Sequence, residues 1–295
     1  MNDSVSVSPY EGSGLWPQLR RMFRVARIVL YLLWGVVLAF LLGAFWSPYR
    51  PVVLAAKQRW CRRFLGILGV ELTVTGSPVD APVFLVSNHV SWLDIPLIAS
   101  QRHLYFLSKA EVGDWPLIGT LARAMGTLFI KRGSGESGRK ALEIADRLKR
   151  GHTVLVFPEG TPTDGTSLRR FFPQLFDAPL MADAPVQPLA VRYLDDNGAP
   201  DAAMAFIGDD EFHHHLWAML LRNRIRVRLH FCEPLSAQGT DRKGLCEGAW
   251  GKVAEQLPDI GLRRQRSPHT MACETRCAER AFSRQAARRP TSSLR

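Results

Sequence analysis

The sequence lacks the marks of several protein classes. Its five cysteines, Cys61, Cys232, Cys246, Cys273 and Cys277, are odd in number, scattered and form no C-x-x-C pair. That pattern excludes a disulfide framework and fits reduced thiols in a protein facing the cytosol. No G-x-S-x-G elbow occurs, so a serine nucleophile of the hydrolase type is not expected. Neither a nucleic-acid module nor a basic stretch interleaved with stacking aromatics is present, so no nucleic-acid partner is expected. There is no internal repeat. Acidic residues are scarce beside basic ones, 27 against 38, giving a net charge of +11. Such a balance favours anionic partners. Much of the excess sits at the two ends, and so marks no binding groove.

What is present begins with an apolar run. Residues 28–46 read IVLYLLWGVVLAFLLGAFW, with no charge. A helix of that length spans about 28 Å, close to the hydrocarbon thickness of a bilayer. The run is long for a signal peptide and has no convincing cleavage site. Arg20, Arg21, Arg24 and Arg27 precede it; Arg50, Lys57, Arg59, Arg62 and Arg63 follow it. Charge on both sides leaves the orientation open. Pro48 and Pro51 break the helix, and residues 52–69 then place Val53, Ala56, Trp60, Phe64 and Ile67 at helical spacing. This second segment reads as a basic amphipathic helix at a membrane surface. Two arrangements follow: a hairpin dipping into one leaflet with both ends cytosolic, or a single span.

Residues 71–235 alternate between strand and helix patterns. Strands are expected at 71–75, 83–87, 104–108, 127–131, 153–157, 186–191, 203–207 and 225–231, and helices at 92–100, 116–124, 137–150 and 212–221. The expected fold is α/β, a mixed central sheet flanked by helices, with an N-terminal membrane helix or two-helix membrane motif. Three regions follow: a membrane-anchoring segment over 1–70, a catalytic domain over 71–258, and a basic tail over 259–295, read as mostly disordered.

The chemistry-bearing residues cluster at strand ends. His89 follows the strand at 83–87, and Asp94 stands five residues on. Ser91 with Asp94 three residues later has the form of a helix N-cap. The spacing allows a carboxylate to hold the imidazole and fix its tautomer. It equally allows a surface histidine beside a capping aspartate. The run Asp209-Asp210-Glu211 with His213-His214-His215 has metal-ligand residue types. Adjacent helical residues face different ways, however, so it reads as a solvated helix start and no metal is expected.

Three further stretches accompany Asn88-His89-x-x-x-x-Asp94: KAEVGDWPLIGTLARAMGTLFIKR from Lys109 to Arg132, Phe157-Pro158-Glu159-Gly160-Thr161, and Val186-Gln187-Pro188-Leu189-Ala190. Together, in this order, they resemble the glycerolipid acyltransferase family, whose best-known member acylates 1-acylglycerol 3-phosphate. The resemblance covers about residues 70–235. It implies His89 as catalytic base and Asp94 as its partner. It also implies substrate-binding roles for Asn88, Lys109, Lys131, Arg132, Glu159, Gly160, Thr161 and Pro188. Among these, Arg132 binds acceptor phosphate, Lys109 helps hold the reacting oxygens, and Glu159 and Gly160 form the acceptor-binding turn. The bland readings are solvated charges for the cations, a turn glycine, and an edge-strand proline for Pro188.

The implied reaction needs a base, because a hydroxyl is a poor nucleophile. A thioester donor, acyl-CoA or acyl carrier protein, is already activated, so neither a covalent intermediate nor a cofactor is called for. The backbone N–H near Gly160 and the Lys109 ammonium are candidate oxyanion donors. One departure stands out. Many family members carry Arg after Glu-Gly-Thr, and this chain has Pro162; Arg169 and Arg170 are possible substitutes. The continuation Thr163-Asp164-Gly165 resembles the subgroup that acylates lyso-ornithine lipid, whose zwitterionic head has no phosphate. Lysophosphatidate is the first expected acceptor and lyso-ornithine lipid the second. A membrane-attached thioesterase or a non-catalytic lipid-binding protein are the readings from other classes. The expected location is a bacterial-type inner membrane with the site on its cytoplasmic side.

Overall fold

The computed structural model describes residues 15–131, 137–207, 212–257 and 261–263. The elements in chain order are α1 (Leu15–Leu41), α2 (Pro51–Leu68), β1 (Val70–Gly76), β2 (Phe84–Ser87), α3 (Asp94–Gln101), β3 (Tyr105–Lys109), α4 (Ile118–Ala124), β4 (Leu128–Ile130), α5 (Ser137–Lys149), β5 (Val154–Val156), β6 (Ser167–Arg169), α6 (Asp177–Ala182), β7 (Val186–Leu194), α7 (Phe212–Met219), β8 (Ile225–Phe231), α8 (Arg242–Glu255) and β9 (Gly261–Arg263).

Seven strands form one sheet in the order β1-β8-β7-β2-β5-β3-β4. Strands β7, β2, β5, β3 and β4 run parallel; β8 runs antiparallel to β7, and β1 follows β8. The sheet is therefore mixed, as expected. Alternate residues of its central strands feed two cores. Val83 and Leu85 face the helices α1, α2 and α3, while Phe84 and Val86 face α5 and α8. Because both faces are covered, β2 is buried at every position, which explains its continuous apolar pattern.

Several elements differ from the sequence reading, among them β6 and α6, which were not expected. The strand expected at 203–207 is a 3₁₀ turn at Ala202–Met204, because the Asp201 carboxylate accepts from the Ala203 N–H at 3.2 Å and ion-pairs with Arg222. Helix α8 was not expected. Asp201's counterpart there is Asp241, which caps α8 through the Gly244 N–H at 2.7 Å, and Leu245, Ala249 and Val253 bury one face. Residues 261–263, in the expected tail, are a short strand; the rest of that tail lies outside the described residues.

The apolar run is rearranged too. Helix α1 stops at Leu41, and the chain turns at Gly43, whose φ is 69°. Helix α2 then folds back. Tyr31 stacks on Trp60 at 5.2 Å and its hydroxyl donates to the Trp60 carbonyl. The α2 stripe expected at a membrane surface thus packs inward, with Val53, Phe64 and Leu68 buried, and Arg62 donates to the Ser100 carbonyl. The exposed apolar face belongs to α1 and the turn: Phe23, Leu30, Trp34, Phe40 and Leu41, then Phe45 and Trp46. Residues Met22–Leu41 are long and apolar enough to cross a membrane, and only 11% of that stretch is buried. The described residues up to Leu262 form one compact unit, so residues 15–70 of the expected anchoring segment pack as part of the same body as the sheet.

Candidate active site

In a sheet of parallel strands, sites form beyond the carboxyl ends. Here β2 ends at Ser87, β5 at Val156, β3 at Lys109 and β4 at Ile130, so the first three sequence motifs reach the same edge, while the fourth opens β7 alongside β2. His89 leaves β2 in a loop. Its Nδ1 lies 2.8 Å from Oδ2 of Asp94, the first residue of α3. The same oxygen accepts from the N–H groups of Val90 at 2.8 Å and Ser91 at 3.0 Å, and Oδ1 accepts from the Tyr193 hydroxyl at 2.6 Å. Asp94 is fully buried, and Ser91 does not cap the helix. An ionised carboxylate only accepts, so Nδ1 carries the proton and Nε2 is left as the basic atom. Burial and the Asp94 charge push the Tyr193 hydroxyl well above its ordinary range, which keeps it a donor.

The loop after β5 brackets this histidine. The Phe157 ring stacks on the imidazole with centroids 4.1 Å apart. Glu159 is buried; it accepts from the His89 N–H at 2.7 Å and from the Arg169 N–H at 2.8 Å. The Thr163 N–H donates to the His89 carbonyl at 2.8 Å. Both backbone groups of His89 are therefore held by residues about 70 positions away. Burial raises the Glu159 carboxyl to about 7, opposed by its two backbone hydrogen bonds. Gly160 sits at φ 78°, in the left-handed region, where a Cβ would also meet Phe172 at 3.1 Å.

Several expected roles change with these contacts. The Asn88 carboxamide donates to the Val191 carbonyl at 2.9 Å and accepts from the Val191 N–H at 2.8 Å. It extends the β2–β7 pairing past Ser87 and faces the strand, which makes it a positioning residue. Glu159 likewise grips backbone. The Gly160 N–H donates to the Phe157 carbonyl at 3.1 Å, closing a turn, and so is not a free oxyanion donor. Pro188 is not on an edge: β7 lies inside the sheet. The pairing shifts by one residue there, from Leu189 opposite Phe231 to Val186 opposite Leu235, and such a bulge accommodates a residue with no N–H. Thr161 accepts from the Arg169 guanidinium at 2.6 Å. Half-buried Lys109 and exposed Lys131 end neighbouring strands, paired through Lys109 and Ile130. Counting strands, they lie about 10 and 14 Å along the edge from β2. Arg132 and Asp209, Asp210 and Glu211 lie outside the described residues. Among the described residues no three His, Cys, Asp or Glu gather as a metal site.

Replacing Asn88 with alanine tests the positioning role. It should cost about 2 kcal/mol of stability, since the Val191 groups stay buried without partners. It should also lower kcat more than it raises the acceptor KM. Unfolding in detergent and steady-state kinetics measure both; a raised KM with unchanged stability would restore a direct substrate contact.

Comparison with known proteins agrees with this geometry. Residues 71–192 match the acyltransferase family. The chain is 42% identical over 241 residues to a lyso-ornithine lipid O-acyltransferase of Pseudomonas aeruginosa, covering 79% of this chain and 91% of that one. The chain belongs to the acyltransferase family. This acyltransferase is also 31% identical over 192 residues to a 1-acyl-sn-glycerol-3-phosphate acyltransferase of Neisseria meningitidis, covering 62% and 73% of the two chains. Its fold matches the crystal structure of the 1-acyl-sn-glycerophosphate acyltransferase of Thermotoga maritima, with a TM-score of 0.55, 23% identity and coverage of 80% and 96%. Tyr193, Phe157, Thr163 and Arg169 lie around the pair as well. Phe157 had a signal in the Phe-Pro-Glu-Gly motif, Thr163 in the Thr163-Asp164-Gly165 continuation and Arg169 as a possible substitute cation; Tyr193 had none.

Proposed function

We propose that this acyltransferase moves an acyl chain from a thioester donor, acyl-CoA or acyl carrier protein, to the free hydroxyl of lyso-ornithine lipid. The His89–Asp94 pair carries the reading. Nε2 of His89 takes the hydroxyl proton as the oxygen attacks the thioester carbonyl. The tetrahedral oxyanion collapses, the C–S bond breaks, and Nε2 returns the proton to the departing sulfur, which leaves as the free thiol and restores the neutral imidazole. Asp94 stabilises the intervening imidazolium, and Phe157 keeps the ring in plane.

Two observations favour lyso-ornithine lipid over lysophosphatidate. The cation that follows Glu-Gly-Thr in many phosphate-using members is Pro162 here. The relative described as a lyso-ornithine lipid enzyme is the more similar, 42% against 31%. We assign the head-group carboxylate to the Arg169 guanidinium, whose contact with Thr161 in the motif supports the reading. Lysophosphatidate stays as the second acceptor. We infer a bacterial inner-membrane location with the site on the cytoplasmic side, where thioester donors are made; the exposed apolar face of α1 supports this reading.

The test is turnover of both acceptors in membranes lacking the endogenous enzyme. Lyso-ornithine lipid should be acylated with the higher kcat/KM, and Arg169→Ala should lower that value about tenfold or more. Pro162→Arg should shift preference several-fold toward lysophosphatidate. Preference of the wild type for lysophosphatidate would reverse the acceptor order. Acyl release without an acceptor, at a rate matching transfer, would replace the transferase reading with a thioesterase.

A further inference from the structure

The sheet edge opposite His89 carries a second cleft. It lies at the amino ends of β2, β3 and β5, about 20 Å from His89 along the strand direction. Asp80, Arg102, His103, Tyr105, Gly151 and His152 line it, an open cleft of about 260 Å³. Nothing in the acyl-transfer chemistry uses these residues.

Three buried polar atoms in and beside this cleft have no hydrogen-bond partner: Nε of Arg102, the Tyr105 hydroxyl and one Nη of Arg147. Tyr105 is only 2% exposed. The other nitrogens of Arg102 donate to the carbonyls of Val79 and Ala81, which fixes its guanidinium against the loop before β2. The Arg147 guanidinium lies over the rings of Tyr49 and Tyr105, at 5.4 and 5.5 Å. The His152 ring stacks on Tyr49 at 5.0 Å. All three unpartnered atoms can donate, and two belong to cations. Buried donors in folded proteins are almost always paired, so a set left open together marks a place for an acceptor-rich ligand.

The surrounding field is mainly positive, with Asp80 acting on Arg102 as the opposing charge. Burial lowers both histidines below their ordinary range, and the charges acting on them are all positive: Lys57, Arg102 and Arg62 on His103, and Arg147 and Arg150 on His152. Asp80 is the one acid among the lining residues, and it is exposed at the rim. An anion fits this field.

The neighbouring surface indicates where the anion comes from. Tyr49, which packs on the lining residues His152 and Tyr105, belongs to the turn between α1 and α2. That turn and the start of α2 expose Phe45, Trp46, Tyr49 and Val52. Aromatic side chains of this kind settle at the membrane–water interface. We propose that the cleft is a second, non-catalytic site that holds the phosphate of an anionic phospholipid head group where the helical hairpin meets the membrane.

The experiment uses the full-length protein in a neutral detergent without acyl donor, so its readout is independent of turnover and acceptor choice. Phosphatidylglycerol, phosphatidylcholine and inorganic phosphate are titrated separately, and binding is followed by thermal unfolding and native mass spectrometry. Phosphatidylglycerol should raise the unfolding temperature and stay bound, with the other two weaker at equal concentration. Arg102→Gln and Tyr105→Phe should each reduce phosphatidylglycerol affinity about tenfold or more. Tyr105→Phe keeps the ring and removes one oxygen, so it tests the site even if Arg102→Gln fails to fold. Unchanged affinity in Tyr105→Phe, or no response to phosphatidylglycerol, would overturn the site. An equal response to phosphatidylcholine would show that charge is not read, and an equal response to inorganic phosphate would remove the lipid; either outcome refutes the proposal.

Discussion

Replacing His89 with alanine is expected to lower acyl transfer by about 10²-fold to 10⁴-fold, the usual worth of a positioned base. The fold should survive, because the imidazole makes only two side-chain contacts of note, with Asp94 and Phe157. Asp94→Asn should reduce the rate comparably and also destabilise the protein. Asp94 gathers four donors, from His89, Val90, Ser91 and Tyr193. An amide replaces one acceptor oxygen with an NH₂ group that faces donors, costing about 3 kcal/mol or more. Tyr193→Phe removes a single donor and keeps the ring. Its expected cost is about threefold to tenfold in kcat with little change in KM, because Tyr193 acts through Asp94. Purified variants, each checked for folding by circular dichroism, give the series. Near-normal transfer by folded His89→Ala would mean that another group takes the proton.

The same contacts show what the sequence could and could not disclose. His89 and Asp94 were legible as a pair because five residues of one chain set their separation: a strand end, a short loop and a first helical turn. The mixed sheet covered by helices was legible from alternating strand and helix patterns, since a strand buried on both faces must be apolar throughout. Tyr193 was not legible. It reaches Asp94 from a strand 99 residues on, and only the β2–β7 pairing brings the two together. Glu159 was assigned to the substrate because its motif was read alone; its carboxylate turns out to hold the backbone of a loop 70 residues earlier. Helix α8 was missed for a local reason. Gly244, Gly248 and Gly251 dilute its pattern, and only its cap and its buried Leu245, Ala249 and Val253 stabilise it. The stripe on α2 was misassigned because periodicity shows that a face is apolar and not what covers it. Here α1 and α3 cover it, and the exposed apolar face lies on α1 instead.

Glu159→Gln should give the second large effect, with a pH dependence that identifies its origin. The carboxylate accepts from two N–H groups, those of His89 and Arg169. Glutamine has one acceptor oxygen, so its NH₂ must face one of those donors. Either His89 or the strand carrying Arg169 then loses its anchor, and kcat should fall about tenfold to a hundredfold with Nε2 misplaced. Stability should respond differently at different pH. The folded-state value of about 7 lies above the ordinary 4.5. The folded protein therefore holds this proton more tightly than the unfolded chain does. The resulting stabilisation is complete below about pH 4.5 and is lost as pH rises through 7, a decline of at most about 3 kcal/mol. Glutamine does not titrate. The stability of wild type relative to Glu159→Gln should thus fall between pH 4.5 and 7 and level off above. The activity gap should move the other way, because only the ionised carboxylate offers two full acceptors to hold the catalytic loop. Unfolding and kinetic profiles from pH 5 to about 8.5 on both proteins test this. A stability difference that does not change with pH would show that Glu159 is already ionised throughout, and that its two backbone hydrogen bonds outweigh its burial.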